Sequence, residues 1–97
     1  MNTPLEFAVA ERIRAVMLEF KLENYRQLGA LIGATNGTVS NWANALNLPR
    51  VPEMIALCEN TGVTLDWVYR GQISTMDPAL GIRLARRVSE LRASLPG

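Results

Sequence analysis

Along most of the chain the apolar residues recur at intervals of three and four, and no segment alternates with a period of two. That pattern predicts an all-α protein. In the first stretch, TPLEFAVAERIRAVMLEFKLE, the residues Leu5, Val9, Ile13, Val16, Met17 and Phe20 form one stripe. Thr3 is placed as an N-cap, Pro4 as the first helical residue and Glu6 as the acidic member of a capping box, giving a helix over about 4–21. A second helix begins after Asn24, with Gln27 three residues on. Its segment YRQLGALI turns Leu28, Leu31 and Ile32 inward and stops at Gly33. Thr35 caps a third helix that runs to about Leu46. NLPRVP is a loop, Pro52 opens a fourth helix closed by Gly62, and Thr64 caps a short fifth helix closed by Gly71. Asp77-Pro78 opens a sixth helix over about 78–94, where Leu80, Leu84, Val88, Leu91 and Leu95 step by three or four. The chain thus divides into a five-helix unit over 1–72, a linker over 73–77 and a C-terminal helical segment over 78–97.

Ninety-seven residues suit one domain with a modest core, and a composition of 48% hydrophobic and 20% charged residues is ordinary for a globular protein. No apolar run is long enough to cross a membrane, and the N-terminus lacks the basic region of a signal peptide, so a cytoplasmic, nucleoid-associated protein is expected. The chain has no histidine and a single cysteine, Cys58. Histidine-based acid–base chemistry and Ser/His or Cys/His nucleophile pairs are excluded, and a zinc site nearly so. Cys58 lies among apolar helix residues and is expected to pack as a small hydrophobe. No set of carboxylates suggests catalysis. Neither an enzyme nor a cofactor is expected.

The net charge of +1 hides an uneven distribution. From Asn24 to Arg50 there is no acid, while Arg26 and Arg50 stand near the two ends. Acid concentrates over residues 51–77, and Arg83, Arg86, Arg87 and Arg92 crowd the last helix. A segment free of acid is suited to meet phosphate.

Two short helices joined by a tight glycine-containing turn suggest a helix-turn-helix. Gly29, one helical turn before Gly33, supplies the small residue that close helix crossing needs. On the third helix Val39, Trp42 and Leu46 share one face, with Ala43 beside them. The opposite face is then Gly37, Ser40, Asn41 and Asn44, with Thr38 at the edge and Asn36 at the exposed first turn. These residues are poor helix formers, and a merely solvated face more often uses Glu, Lys, Gln and Arg. Amides and hydroxyls suit base edges, and Gly37 permits close approach. Base readout is therefore assigned to Asn36, Gly37, Thr38, Ser40, Asn41 and Asn44. Backbone contact is assigned to Asn24, Tyr25, Arg26, Thr35 and Arg50.

The passages YRQLGALIGATNGTVSNWANAL and VPEMIALCENTGVTLDWVYRG resemble the Cro/repressor-type (Xre-like) helix-turn-helix transcription factors, particularly small bacterial and prophage members. The likeness covers roughly residues 5–72. It rests on Leu28, Gly29, Gly33, Thr35, Thr38, Val39, Ser40 and Trp42, then on Pro52, Leu65 and TGVTLDW. It implies a five-helix domain whose third helix enters the major groove, usually as a homodimer on a pseudo-palindromic site of double-stranded DNA. Asn36, Gly37, Thr38, Ser40 and Asn41 fall at the family's base- and phosphate-contacting positions, and Tyr25 at a phosphate-contacting one. Many members carry Gln at the Tyr25 position and Glu where this chain has Ala43, and their third and fourth helices are joined by a shorter loop. The function expected is transcriptional regulation, as a repressor or autoregulator. The alternative is a protein-interaction module on the same fold: an antirepressor, an accessory subunit or an antitoxin with a protein partner. The last helix is expected either to fold back on the body or, preferably, to pair with its copy through Leu80, Leu84, Val88 and Leu91. Arg83, Arg86 and Arg87 are alternative contacts to flanking DNA.

Overall fold

The computed structural model describes residues 4–94, and Thr3 and Leu95 lie outside them. Six α-helices follow in order: α1 Pro4–Glu19, α2 Tyr25–Ile32, α3 Asn36–Ala43, α4 Val51–Thr61, α5 Leu65–Arg70 and α6 Pro78–Ala93. No described residue is in a strand. No described helix is long and apolar enough to cross a membrane.

Local chemistry sets most of the starts. The side chains of Asn24, Thr35, Thr64 and Asp77 each accept a hydrogen bond from the backbone N–H three residues on. Gly33, Gly62 and Gly71 end α2, α4 and α5 in the left-handed conformation. Two helices end differently from the sequence expectation. α1 stops at Glu19 because Lys21 takes φ 56°, and α3 stops at Ala43 because Ala45 takes φ 60°. In both, the residue after the left-handed one reaches back five positions: Leu22 N to Met17 O at 2.9 Å, and Leu46 N to Asn41 O at 2.9 Å. These are Schellman endings built without glycine. The early stop of α3 throws Leu46 to the surface (56% exposed) rather than onto the face with Val39 and Trp42.

The core is shared by all six helices. Val9, Ile13 and Val16 of α1, Leu28 and Ile32 of α2, Val39 and Trp42 of α3, Met54 and Leu57 of α4, Trp67 and Val68 of α5, and Leu80 and Leu84 of α6 form one buried cluster. Leu5 and Leu31, expected inside, are exposed. α1 is the central spine, packed against α3, α5 and α6.

α6 folds back along α1. Leu80 and Leu84 are buried inside this chain, and Val88 and Leu91 are half-buried against the same core. The stripe expected to meet a second copy is therefore turned onto its own body. The physical reason lies in α1, which offers an apolar face and two acids. Arg83 and Arg87 both bond Glu19 (2.7 and 3.1 Å), and Arg92 grips Glu11 with two bonds (3.0 and 2.9 Å). Those arginines are paired within the molecule, whereas Arg86 makes no ion pair among the described residues.

Candidate nucleic-acid interface

The turn between α2 and α3 is fixed by two glycines for different reasons. Gly33 sits at φ 78°, where its N–H and that of Ala34 both bond Gly29 O, at 2.8 and 2.9 Å. Gly29 is buried, and a β-carbon there would land on the Ala34 carbonyl oxygen. The close crossing expected from the sequence is thus present, and it brings α3 onto α2 and α1.

α3 buries Val39, Trp42 and Ala43 and leaves Asn36, Gly37 and Asn41 exposed, with Thr38 and Ser40 half-covered. At its start the Thr35 hydroxyl accepts from Thr38 N at 3.1 Å and donates to the Thr38 hydroxyl at 2.8 Å. Both threonines are thereby partly spent on the cap. The side-chain amides of Asn36 and Asn41 have no partner among the described residues and face outward. Nothing lies within 4 Å of where a Gly37 β-carbon would be, so the backbone of the first turn is open to approach.

Asn44 departs from expectation. It is the C-cap of α3, and its amide turns back on the helix: Nδ2 donates to Ser40 O at 2.8 Å and to Ser40 Oγ at 3.2 Å. Its Oδ1 accepts from Arg14 Nη2 at 3.2 Å. The exposed amide is thus engaged on three sides within the molecule, unlike those of Asn36 and Asn41. Counting the polar residues of the third helix on a helical wheel places Asn44 outward, but the helix ends one residue earlier.

Polar and basic groups flank the turn. Asn24 caps α2 (Gln27 N to Oδ1, 2.9 Å), and Gln27 Oε1 in turn accepts from Glu23 N at 2.6 Å. Tyr25 packs its ring on the core and lines a groove of about 430 Å³ with Met17, Leu22 and Leu91, while its hydroxyl has no partner among the described residues. Arg26 is exposed beside it, and Lys21, not singled out from sequence, is exposed at the end of α1. Arg50 is 79% exposed, but its guanidinium bonds Glu53 at 2.7 Å. The Arg50 hydrogen bond, followed by the residue's own backbone N–H, holds the Glu53 carboxyl below the usual carboxylate range. Arg50 therefore presents a partly neutralised charge. Its loop is pinned by the Tyr69 hydroxyl, which donates to Pro49 O at 2.8 Å. Burial, then the nearby Glu53, pushes the Tyr69 hydroxyl up and keeps it a donor.

Arg14 escaped the sequence reading. From α1 its Nε donates to Ala43 O at 2.9 Å, at the C-terminus of α3. No local pattern signals a contact spanning 29 positions. Elsewhere little chemistry gathers. Burial pushes the Cys58 thiol up, away from the reactive thiolate. Among the described residues no three His, Cys, Asp or Glu side chains come together as metal ligands would.

Residues 11–75 match the bacteriophage CI repressor helix-turn-helix domain, a stretch that spans α2 and α3 and the helices packed around them. No curated protein and no solved structure matches the chain significantly. The family is one of DNA-binding repressor domains and is not an enzyme class.

Proposed function

This chain belongs to the bacteriophage CI repressor helix-turn-helix family, and we propose that it is a transcriptional repressor or autoregulator acting by occupancy of a pseudo-palindromic operator as a homodimer. The observation that carries this is the outward pair of uncommitted amides, Asn36 and Asn41, on a short helix capped at both ends within an acid-free segment. Asn can pair bidentately with adenine in the major groove, and a serine or threonine hydroxyl serves several bases. Asn36, Gly37, Thr38, Ser40 and Asn41 are the reading set. The Tyr25 hydroxyl, Arg26 and the capped N-termini around Asn24 and Thr35 fix the backbone register, with Arg50 from the next loop. The absence of charge on α3 is no obstacle, since affinity comes mainly from phosphate contacts and discrimination from base edges.

The molecule measures 35 × 30 × 25 Å, so two copies side by side can place their α3 helices one duplex turn, about 34–36 Å, apart. The inner face of α6 is occupied within the chain, which favours a dimer contact elsewhere on the surface. Selection from a random duplex pool at low salt tests the proposal. Enrichment of a two-fold symmetric site, relaxed by Asn41→Ala, is expected. A folded, soluble protein that enriches nothing would overturn it and favour a protein partner instead.

A further inference from the structure

We propose that Arg14 is a positioning residue for base readout: acting through Asn44, it orients the Ser40 hydroxyl as an outward donor and so sets the preference at one base pair. This rests on α3 being the helix that reads DNA.

α3 has only eight residues, too few to hold its shape unaided. All four carbonyls of its last turn are nonetheless satisfied. Ser40 O accepts from the Asn44 backbone (3.0 Å) and side chain (2.8 Å), Asn41 O from Leu46 N (2.9 Å) and Trp42 O from Ala45 N (3.1 Å). The fourth, Ala43 O, is taken by Arg14 Nε from another helix at 2.9 Å. A guanidinium at a helix C-terminus also meets the negative end of the helix dipole.

The second arm of Arg14 decides which way the Asn44 amide faces. Arg14 has only donors, so the atom it meets at 3.2 Å must be the Asn44 oxygen. The amide NH₂ is then forced toward Ser40, where it donates to the hydroxyl oxygen at 3.2 Å. The Ser40 hydroxyl donates to no described residue, so with one lone pair held by Asn44 its hydrogen is left for an acceptor outside the helix. Released from Asn44, the hydroxyl is free to bond back to the carbonyl four residues earlier, as serines in helices do. An outward donor selects an acceptor edge in the major groove: purine N7, guanine O6 or thymine O4. The chain from Arg14 to Asn44 to Ser40 thus links α1 to discrimination by α3.

The test is selection from a random duplex pool by wild type, Ser40→Ala, Asn44→Ala, Arg14→Lys, Arg14→Met and the Arg14→Met/Asn44→Ala double variant, with folding checked by circular dichroism. Expected is a loss of about fivefold in discrimination, the equivalent of one net hydrogen bond, at the base pair that Ser40→Ala affects. Asn44→Ala and Arg14→Met change discrimination at that position alone, with Arg14→Met also lowering overall affinity because Ala43 O loses its donor. The double variant loses no more discrimination than either, and Arg14→Lys retains part of the preference. A purely structural role for Arg14 would lower affinity at all positions together. Unchanged discrimination in folded Asn44→Ala overturns the proposal even if Arg14→Met does not fold. Should Ser40→Ala be silent while Asn41→Ala relaxes the site, the proposal fails and DNA readout by α3 stands. Should wild type enrich nothing, both fail.

Discussion

Replacing Gly37 by alanine separates stability from contact. Gly37 is the second residue of α3 and is not among the glycines with positive φ. An added β-carbon meets nothing within 4 Å. In the free protein the substitution therefore relieves the entropic cost of a helical glycine without a steric penalty. In a helix interior that is worth close to a full kilocalorie, and at a first turn ~0.5 kcal/mol of added stability is expected. For a domain of this size the melting temperature rises by roughly 2–4 °C. Against an enriched duplex the same methyl projects from the face proposed to lie in the groove. Crowding a close-packed contact costs about 1–3 kcal/mol, or roughly five- to 150-fold in affinity. The assay pairs denaturant unfolding of the free protein with titration of the duplex. A more stable protein that binds more weakly is the expected result. A more stable protein with unchanged affinity would refute the placement of Gly37 against DNA, because loss of fold could not then be masking the outcome.

Other perturbations test the supporting structure. Gly29→Ala drives a β-carbon into the Ala34 carbonyl oxygen and should cost about 1–3 kcal/mol or more in chemical unfolding, whereas wild-type stability would show that the α2–α3 turn can move aside. Tyr69→Phe removes the donor to Pro49 O and should cost about 1 kcal/mol, with the loop before α4 becoming more accessible to protease. Burial pushes the Glu19 carboxyl up, but hydrogen bonds from Arg83 and Arg87, together with their charges, outweigh it and hold the group below its ordinary value of 4.5. A carboxyl depressed on folding contributes stability above its unfolded pKa and loses it as pH falls from about 4.5 through the lower folded value. Glu19→Gln should therefore flatten the acid limb of the stability profile, and an unaltered limb would exclude the α1–α6 clasp as its source. With Lys21 and Arg26 as exposed cations near the proposed interface and Arg50 partly neutralised by Glu53, log K should fall with log salt at a slope of about −2 to −3 per protomer, and a slope twice as steep would mean that other cations reach the phosphates.

Much of this fold is legible in the sequence because its signals are local. Asn24, Thr35, Thr64 and Asp77 bond amides three residues away, and Gly33, Gly62 and Gly71 turn left-handed where the apolar pattern pauses. The end of α3 is not legible, since an alanine in the left-handed conformation is held there by burial and by two long-range contacts of Arg14. The shorter helix in turn exposes Leu46 and converts Asn44 from an outward side chain into a cap. The same limit applies to α6. Its leucine stripe fits a partner helix or its own body equally well, and the contacts that hold it to this body include Glu11 and Glu19, more than 60 positions away from the arginines they bond. Within the candidate site, the uncommitted amides of Asn36 and Asn41 could be anticipated from their residue types, while Arg14 could not.

The most direct test of α3 as the reading element is titration of ¹⁵N-labelled protein with an enriched duplex, following backbone and side-chain amide signals. The Asn36 and Asn41 side-chain amides and the Gly37 and Thr38 backbone amides are expected to move most, with the exposed Ile55 on α4 and Ile82 on α6 unmoved. Large shifts confined to α4 or α6, with α3 silent, would contradict readout by α3.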